Sequence, residues 1–136
     1  MPICVLDASV AIAAVIEGEQ SDAAHDILRE VIGDSAAVPP LWFFEVGNVL
    51  LLAERRRSLT AAARLEHLDD LSRLPITVDH EGTRHAWRET MALADRHRLT
   101  LYDAAYLELC LRLGLPLASF DAALRTAAKA ANVLLL

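Results

Sequence analysis

The sequence predicts an α/β fold of three layers, with a mostly parallel sheet of about five short strands flanked by helices. Two observations carry this. Short, wholly apolar runs recur along the chain and read as strands buried on both faces, as in parallel sheets. Between them lie longer segments with helical apolar spacing and start and stop signals. The 136 residues show no linker, repeat or low-complexity stretch, so one domain over 1–136 is expected.

The first strand is Ile3–Leu6, and Asp7-Ala8-Ser9 turns it into a short helix over roughly 10–15. A second helix covers about 20–33, with Ala24, Ile27, Leu28, Val31 and Ile32 facing inward. Ala36–Val38 is a strand stopped by Pro39-Pro40, and the second proline suits the first turn of a long helix running to about Arg57. Thr60 is the expected N-cap of a helix ending near Ser72. Ile76–Val78 is the third strand, followed by a helix over roughly 81–97. Thr100 caps a helix over 101–113 whose expected buried face is Tyr102, Tyr106, Leu109, Cys110 and Leu113, and Gly114 stops it at the C′ position. Leu117–Ser119 is the fourth strand, Asp121 opens a helix to about Ala131, and Val133–Leu136 completes the sheet.

Composition narrows the function. Hydrophobic residues make up 54% of the chain and mean hydropathy is +0.31, high for a protein in water. Yet no apolar run reaches the ~18 residues needed to cross a bilayer. The apolar start carries Asp7 and no basic lead-in, unlike a signal peptide, so a cytoplasmic location is expected. Surplus apolar surface suggests cover by another chain. A net charge of −6 disfavours a protein that coats nucleic acid, but leaves room for a nuclease whose acids bind cations. Arginines cluster at 55–57 with Arg64, and at Arg84, Arg88, Arg96 and Arg98, which reads equally as helix-end charge or as RNA contact. Cys4 and Cys110 lie in apolar settings without metal-binding spacing and read as reduced core residues. On a helix, His80 and His85 would point about 140° apart and could not share a metal.

Four acids stand out: Asp7 ending ICVLD, Glu45 inside LWFFEVGNVL, Asp103 in TLYDAAYLELC, and Asp121 in PLASFDAAL. A carboxylate costs several kcal/mol to desolvate unless something neutralises it. Ligands of open α/β sheets gather beyond the carboxyl ends of the strands, where Asp7, Asp103 and Asp121 are expected. Glu45 and Asn48 share a helical face and give an otherwise apolar helix one polar spot. Each aspartate also fits a plainer role. Asp7 and Asp121 fit N-caps, and Asp103, three residues after Thr100, fits a capping box. Glu45, mid-helix between Phe44 and Val46, has no such excuse. Ser9 fits a cap or a holder of metal-bound water, and Asn48 a donor to Glu45.

VLDASV, then P-x-x-x-x-E-V-x-N-x-L, then L-x-x-x-D-A-A-Y, then a strand entering FDAALRTAAKAANV occur in an order that resembles a PIN domain, most closely the VapC-type toxins of toxin–antitoxin pairs. The resemblance spans nearly the whole chain. It implies an endoribonuclease in which Asp7, Asp103 and Asp121 ligate Mg²⁺ or Mn²⁺ and Glu45 ligates or orients water, with Ser9 and Asn48 in support. Hydrolysis by activated water would leave 5′-phosphate and 3′-hydroxyl ends. A cognate antitoxin lying over roughly 10–57, and a homodimer, would be the protein partners. Phe120, in SFD, stands where the family often has a small or polar residue, which bears on substrate choice. The competing reading is a PIN-fold module that binds RNA or protein without turnover. The four intact acids disfavour it. A phosphoacceptor domain lacks support, since the sole lysine, Lys129, lies late in a helix.

Overall fold

The computed structural model describes residues 1–136. Four parallel strands form the sheet: β1 (Val5–Leu6), β2 (Ala36–Val38), β3 (Ile76–Val78) and β4 (Leu117–Ala118), in the order β3-β2-β1-β4. Seven α-helices flank it: α1 (Ala8–Val15), α2 (Ser21–Ile32), α3 (Leu41–Arg55), α4 (Ala61–Ser72), α5 (Glu89–His97), α6 (Leu101–Leu113) and α7 (Ala122–Ala130). α1 packs against α2 and α3, α3 against α4, and α6 against α5 and α7. The core is continuous and runs through β1, β2 and β4, with the edge strand β3 packed against it. Cys4, Val5, Leu6, Val38, Leu107 and Leu117 are among its fully enclosed members.

Strand order sets the site. From β1 the chain adds β2 and β3 on one side, then returns to place β4 on the other. The switch point therefore lies between β1 and β4, where open α/β sheets bind their ligands. Pairing of Val5 with Leu117 and of Leu6 with Ala118 brings Asp7 level with Ser119 just past the strand ends. The Asp7 amide donates to the Ala118 carbonyl at 2.9 Å, closing the ladder at that point.

Several expectations need correction. The sheet has four strands and not five. Leu135 makes a single parallel bridge to Leu117, because the Val133 amide is spent on the Ala128 carbonyl at the end of α7. The helix expected over 81–97 is only α5, preceded by a 3₁₀ turn at Gly82–Arg84. The interruption lies at 85–88, where the Arg88 and Thr90 amides both donate to the His85 carbonyl. Ahead of it the Asp79 carboxylate accepts from the Glu81 amide and is held by Arg112. The angular argument about His80 and His85 thus lapses with the helix, and His85 pairs with Glu89 instead. Ile32 is exposed on α2, and Tyr102 and Leu113 are exposed on α6. The true buried set of α6 is Ala104 and Tyr106–Cys110, because sheet, α5 and α7 all contact this helix.

The caps follow the sequence more closely. Thr60 Oγ1 accepts from the Ala63 amide, Thr100 Oγ1 accepts from the Asp103 amide, and Gly114 takes the left-handed conformation at φ +66°. Cys4 and Cys110 are buried thiols, each pushed up to about 12 by burial. No helix is long and apolar enough to cross a membrane.

Candidate active site

Asp7 leaves β1 in an extended conformation at the head of α1, yet its side chain caps nothing. The buried carboxylate accepts instead, at Oδ2, from Ser9 Oγ at 2.6 Å and from Ser119 Oγ at 2.8 Å. Each serine oxygen also accepts a backbone amide from the β4 loop: Phe120 to Ser9, and Asp121 to Ser119, both at 3.0 Å. The two hydroxyls thus tie the end of β1 to the segment after β4 and leave Asp7 Oδ1 free. Ser9 is neither a helix cap nor an idle hydroxyl. It is a strut.

Asp121 does cap α7, with Oδ2 accepting from the Leu124 amide at 2.9 Å. A carboxylate has two oxygens, so capping leaves Oδ1 available. In the first turn of α6, Asp103 is half-buried. Thr100 caps that helix alone, and the reciprocal half of a capping box is absent, so both Asp103 oxygens are unengaged. Glu45 reaches in from α3 and accepts at Oε1 a short hydrogen bond from the hydroxyl of fully buried Tyr106. Asn48 is exposed, and Tyr106 takes the donor role expected of it.

Electrostatics link the four acids. Burial raises the Asp7 carboxyl above its usual range against the pull of its two serines, and the Asp121 charge raises it further. Glu45 is raised by burial, opposed by Tyr106, then by the charges of Asp7 and Asp103. Asp103 is raised by burial and by Asp121 and Asp7. None of the four pairs with a cationic side chain. The adjacent Arg125 donates to the Ser119 carbonyl at 2.9 Å. The acids feel one another, but no three stand close enough to coordinate one ion. Like charges without a counter-ion are expected to hold apart in this way. Free oxygens on each acid, all hard donors, with no internal cation to neutralise them, fit a site for a hard divalent ion such as Mg²⁺ or Mn²⁺.

Three features escaped the sequence reading. Tyr106 was read as core, although its i+3 spacing from Asp103 already put it on the same side of α6. Ser119 precedes Asp121 by two residues, mirroring Ser9 two after Asp7. Glu108 and Arg112, four apart on α6, form with Asp79 a largely buried ion network, with Arg112 Nη2 2.7 Å from Asp79 and Nε 3.0 Å from Glu108. The arginine clusters meanwhile stay on the periphery. Arg64 pairs with Glu54 and Arg84 with Glu81.

A parallel sheet with an anionic, all-oxygen site at its switch point defines the class of α/β protein to which this chain belongs. The family is the PIN domain: residues 4–130 match it, and the chain is a member. Among solved structures it is similar to PAE2754 from Pyrobaculum aerophilum, with a TM-score of 0.70 and 24% identity over 93% of this chain and 79% of that one. It is also similar to VapBC2 from Rickettsia felis bound to a DNA fragment from their promoter, with a TM-score of 0.65 and 14% identity over 97% and 96% of the two chains. No curated protein matches.

Proposed function

We propose that this PIN domain is a metal-dependent endoribonuclease acting as the toxin of a toxin–antitoxin pair. One observation carries the chemistry. Four carboxylates from four separate elements lie around the switch point within electrostatic reach of one another, three of them raised by burial and mutual charge, and none has an internal counter-ion. Perturbed acids gathered in one cleft mark functional sites more often than structural ones.

Asp7, Asp103 and Asp121 would hold Mg²⁺ or Mn²⁺, drawn together by the ion that offsets their repulsion, and Glu45 would ligate it or orient water. When bound, the ion supplies a nucleophile from water at neutral pH and balances charge on the attacked phosphate. Asp7 is kept in one rotamer by Ser9 and Ser119, so its free oxygen is presented without reorganisation. Glu45 is anchored at one oxygen by Tyr106, which aims the other at the cleft. The site contains no histidine or lysine to draw a proton from a 2′-hydroxyl, which favours attack by water. A non-catalytic binding module would have no use for oxygens fixed this way.

The toxin assignment rests on the motif resemblance together with the likeness to VapBC2, which is bound to a DNA fragment from their promoter. An antitoxin over the α1–α3 region and a homodimer follow from it. The test is cleavage of single-stranded RNA with mapping of the ends. Cleavage should need Mg²⁺ or Mn²⁺, stop in EDTA and leave 5′-phosphates. Undiminished cleavage in chelator would sink the mechanism.

A further inference from the structure

Beside the carboxylate cleft lies a pocket of about 340 Å³ between the start of α3, the β3–α5 connection and the start of α6. Its volume falls in the roughly 300–1,000 Å³ range of small-molecule sites. Phe44 and Tyr102 both line it, 79% and 67% exposed, although large aromatic side chains ordinarily bury themselves. With aromatics at only 5% of the chain, two exposed in one pocket is a concentration.

The walls are bound to the site by sequence. Phe44 precedes Glu45 and Tyr102 precedes Asp103, and successive helical residues diverge by about 100°. Pocket and cleft therefore occupy adjoining faces of the same two helices, whose relative position the Tyr106–Glu45 hydrogen bond holds. The wall is almost wholly apolar. Thr90 is 2% exposed and lines the pocket, and its hydroxyl makes no hydrogen bond within the protein. Asp79 and Glu108 line it too, but all four of their carboxylate oxygens accept from Arg112.

The geometry points to a nucleobase subsite: a base of the RNA, next to the phosphate to be cut, stacks against Phe44 and Tyr102 with its edge toward Thr90. This rests on the nuclease reading above. Stacking on exposed aromatics is how single-stranded RNA is commonly held. The subsite thus holds one base of the substrate beside the cleft by stacking and apolar contact.

The test uses the full chain and short single-stranded oligoribonucleotides carrying one 2-aminopurine. Binding is read by fluorescence with Ca²⁺ in place of Mg²⁺, and cleavage separately with Mg²⁺. Wild type should quench the probe. Phe44→Ala and Tyr102→Ala should each weaken binding by about tenfold, with melting temperatures near wild type because both side chains are exposed. Tyr102→Phe should bind normally, because it keeps the aromatic face. Alanine variants that bind and cut RNA as wild type does, but lose self-association or a protein partner, would overturn the subsite and make the pocket a protein contact. That result leaves the nuclease reading intact. Aromatic-dependent quenching without any metal-dependent cleavage would retain the subsite and reject the nuclease reading. A wild type that binds no oligonucleotide rejects the subsite outright.

Discussion

Tyr106 and Asp103 bear most directly on whether the acids act together. Tyr106→Phe deletes one oxygen and leaves Glu45 without its donor in a half-buried setting. Losing a hydrogen bond to a charged acceptor costs about 1–3 kcal/mol. Loss of a group that orients a metal-site ligand typically costs 10- to 100-fold in affinity or activity. The variant should therefore melt lower and need more Mg²⁺ for half-maximal cleavage, read by denaturation and by metal titration. Asp103→Asn behaves differently. Its carboxylate makes no hydrogen bond within the protein and is raised by its neighbours' charges, so neutralising it removes repulsion. The metal-free variant should be at least as stable as wild type and inactive. Mn²⁺ should raise the melting temperature of wild type by linkage, and of Asp103→Asn by less. Equal shifts in both proteins would reduce Asp103 to a helix-start residue.

At the scale of elements, the Asp79–Arg112–Glu108 network joins the end of β3 to the middle of α6, the helix that carries Asp103 and Tyr106. Arg112→Ala would leave two nearly enclosed carboxylates unpaired, and breaking such a pair costs about 3–5 kcal/mol. Chemical denaturation should show that loss. Acid sensitivity follows from Asp79. Burial raises its carboxyl, but the hydrogen bonds from Arg112 and from the Glu81 amide outweigh burial and hold it below its ordinary 3.8. A depressed folded-state value adds stability above the unfolded value, and that stability is lost as pH falls through the folded one. Wild type should accordingly lose stability below about pH 4. Arg112→Ala should lose less over that interval, having already forfeited the pair. Identical acid profiles would argue that the network is inert.

For the whole molecule, one prediction concerns association. Ile32, Phe43, Leu52 and Leu65, none of them in the aromatic pocket, remain exposed on a single chain whose core is already complete. Co-expression with its operon neighbour should raise solubility, and size-exclusion chromatography should show a two-fold assembly. A soluble monomer that gains nothing from that neighbour counts against both. Much of the architecture could be read beforehand because it depends on local signals. The caps at Thr60, Thr100 and Gly114, and the apolar strands 36–38 and 76–78, are encoded where they occur. What escaped depends on distant partners. The fifth strand is lost because Val133 bonds back to α7. Within the site, the aspartates were visible as residues, whereas Ser119 and Tyr106 acquired meaning only when the sheet order brought them to Asp7 and Glu45.

The strut at Asp7 has a temporal consequence. Its two ends, Asp7 and Ser119, lie 112 positions apart along the chain, so their contact belongs to the most non-local and slowest-forming class. A growing polypeptide acquires Asp7, Glu45 and Asp103 early, yet Asp7 has no fixed rotamer, and no fourth acid faces it, until β4 docks against β1. Until then the acids are solvated and separate. A site assembled by the last strand stays incomplete throughout synthesis, and its four acids cannot act together before the chain is nearly finished.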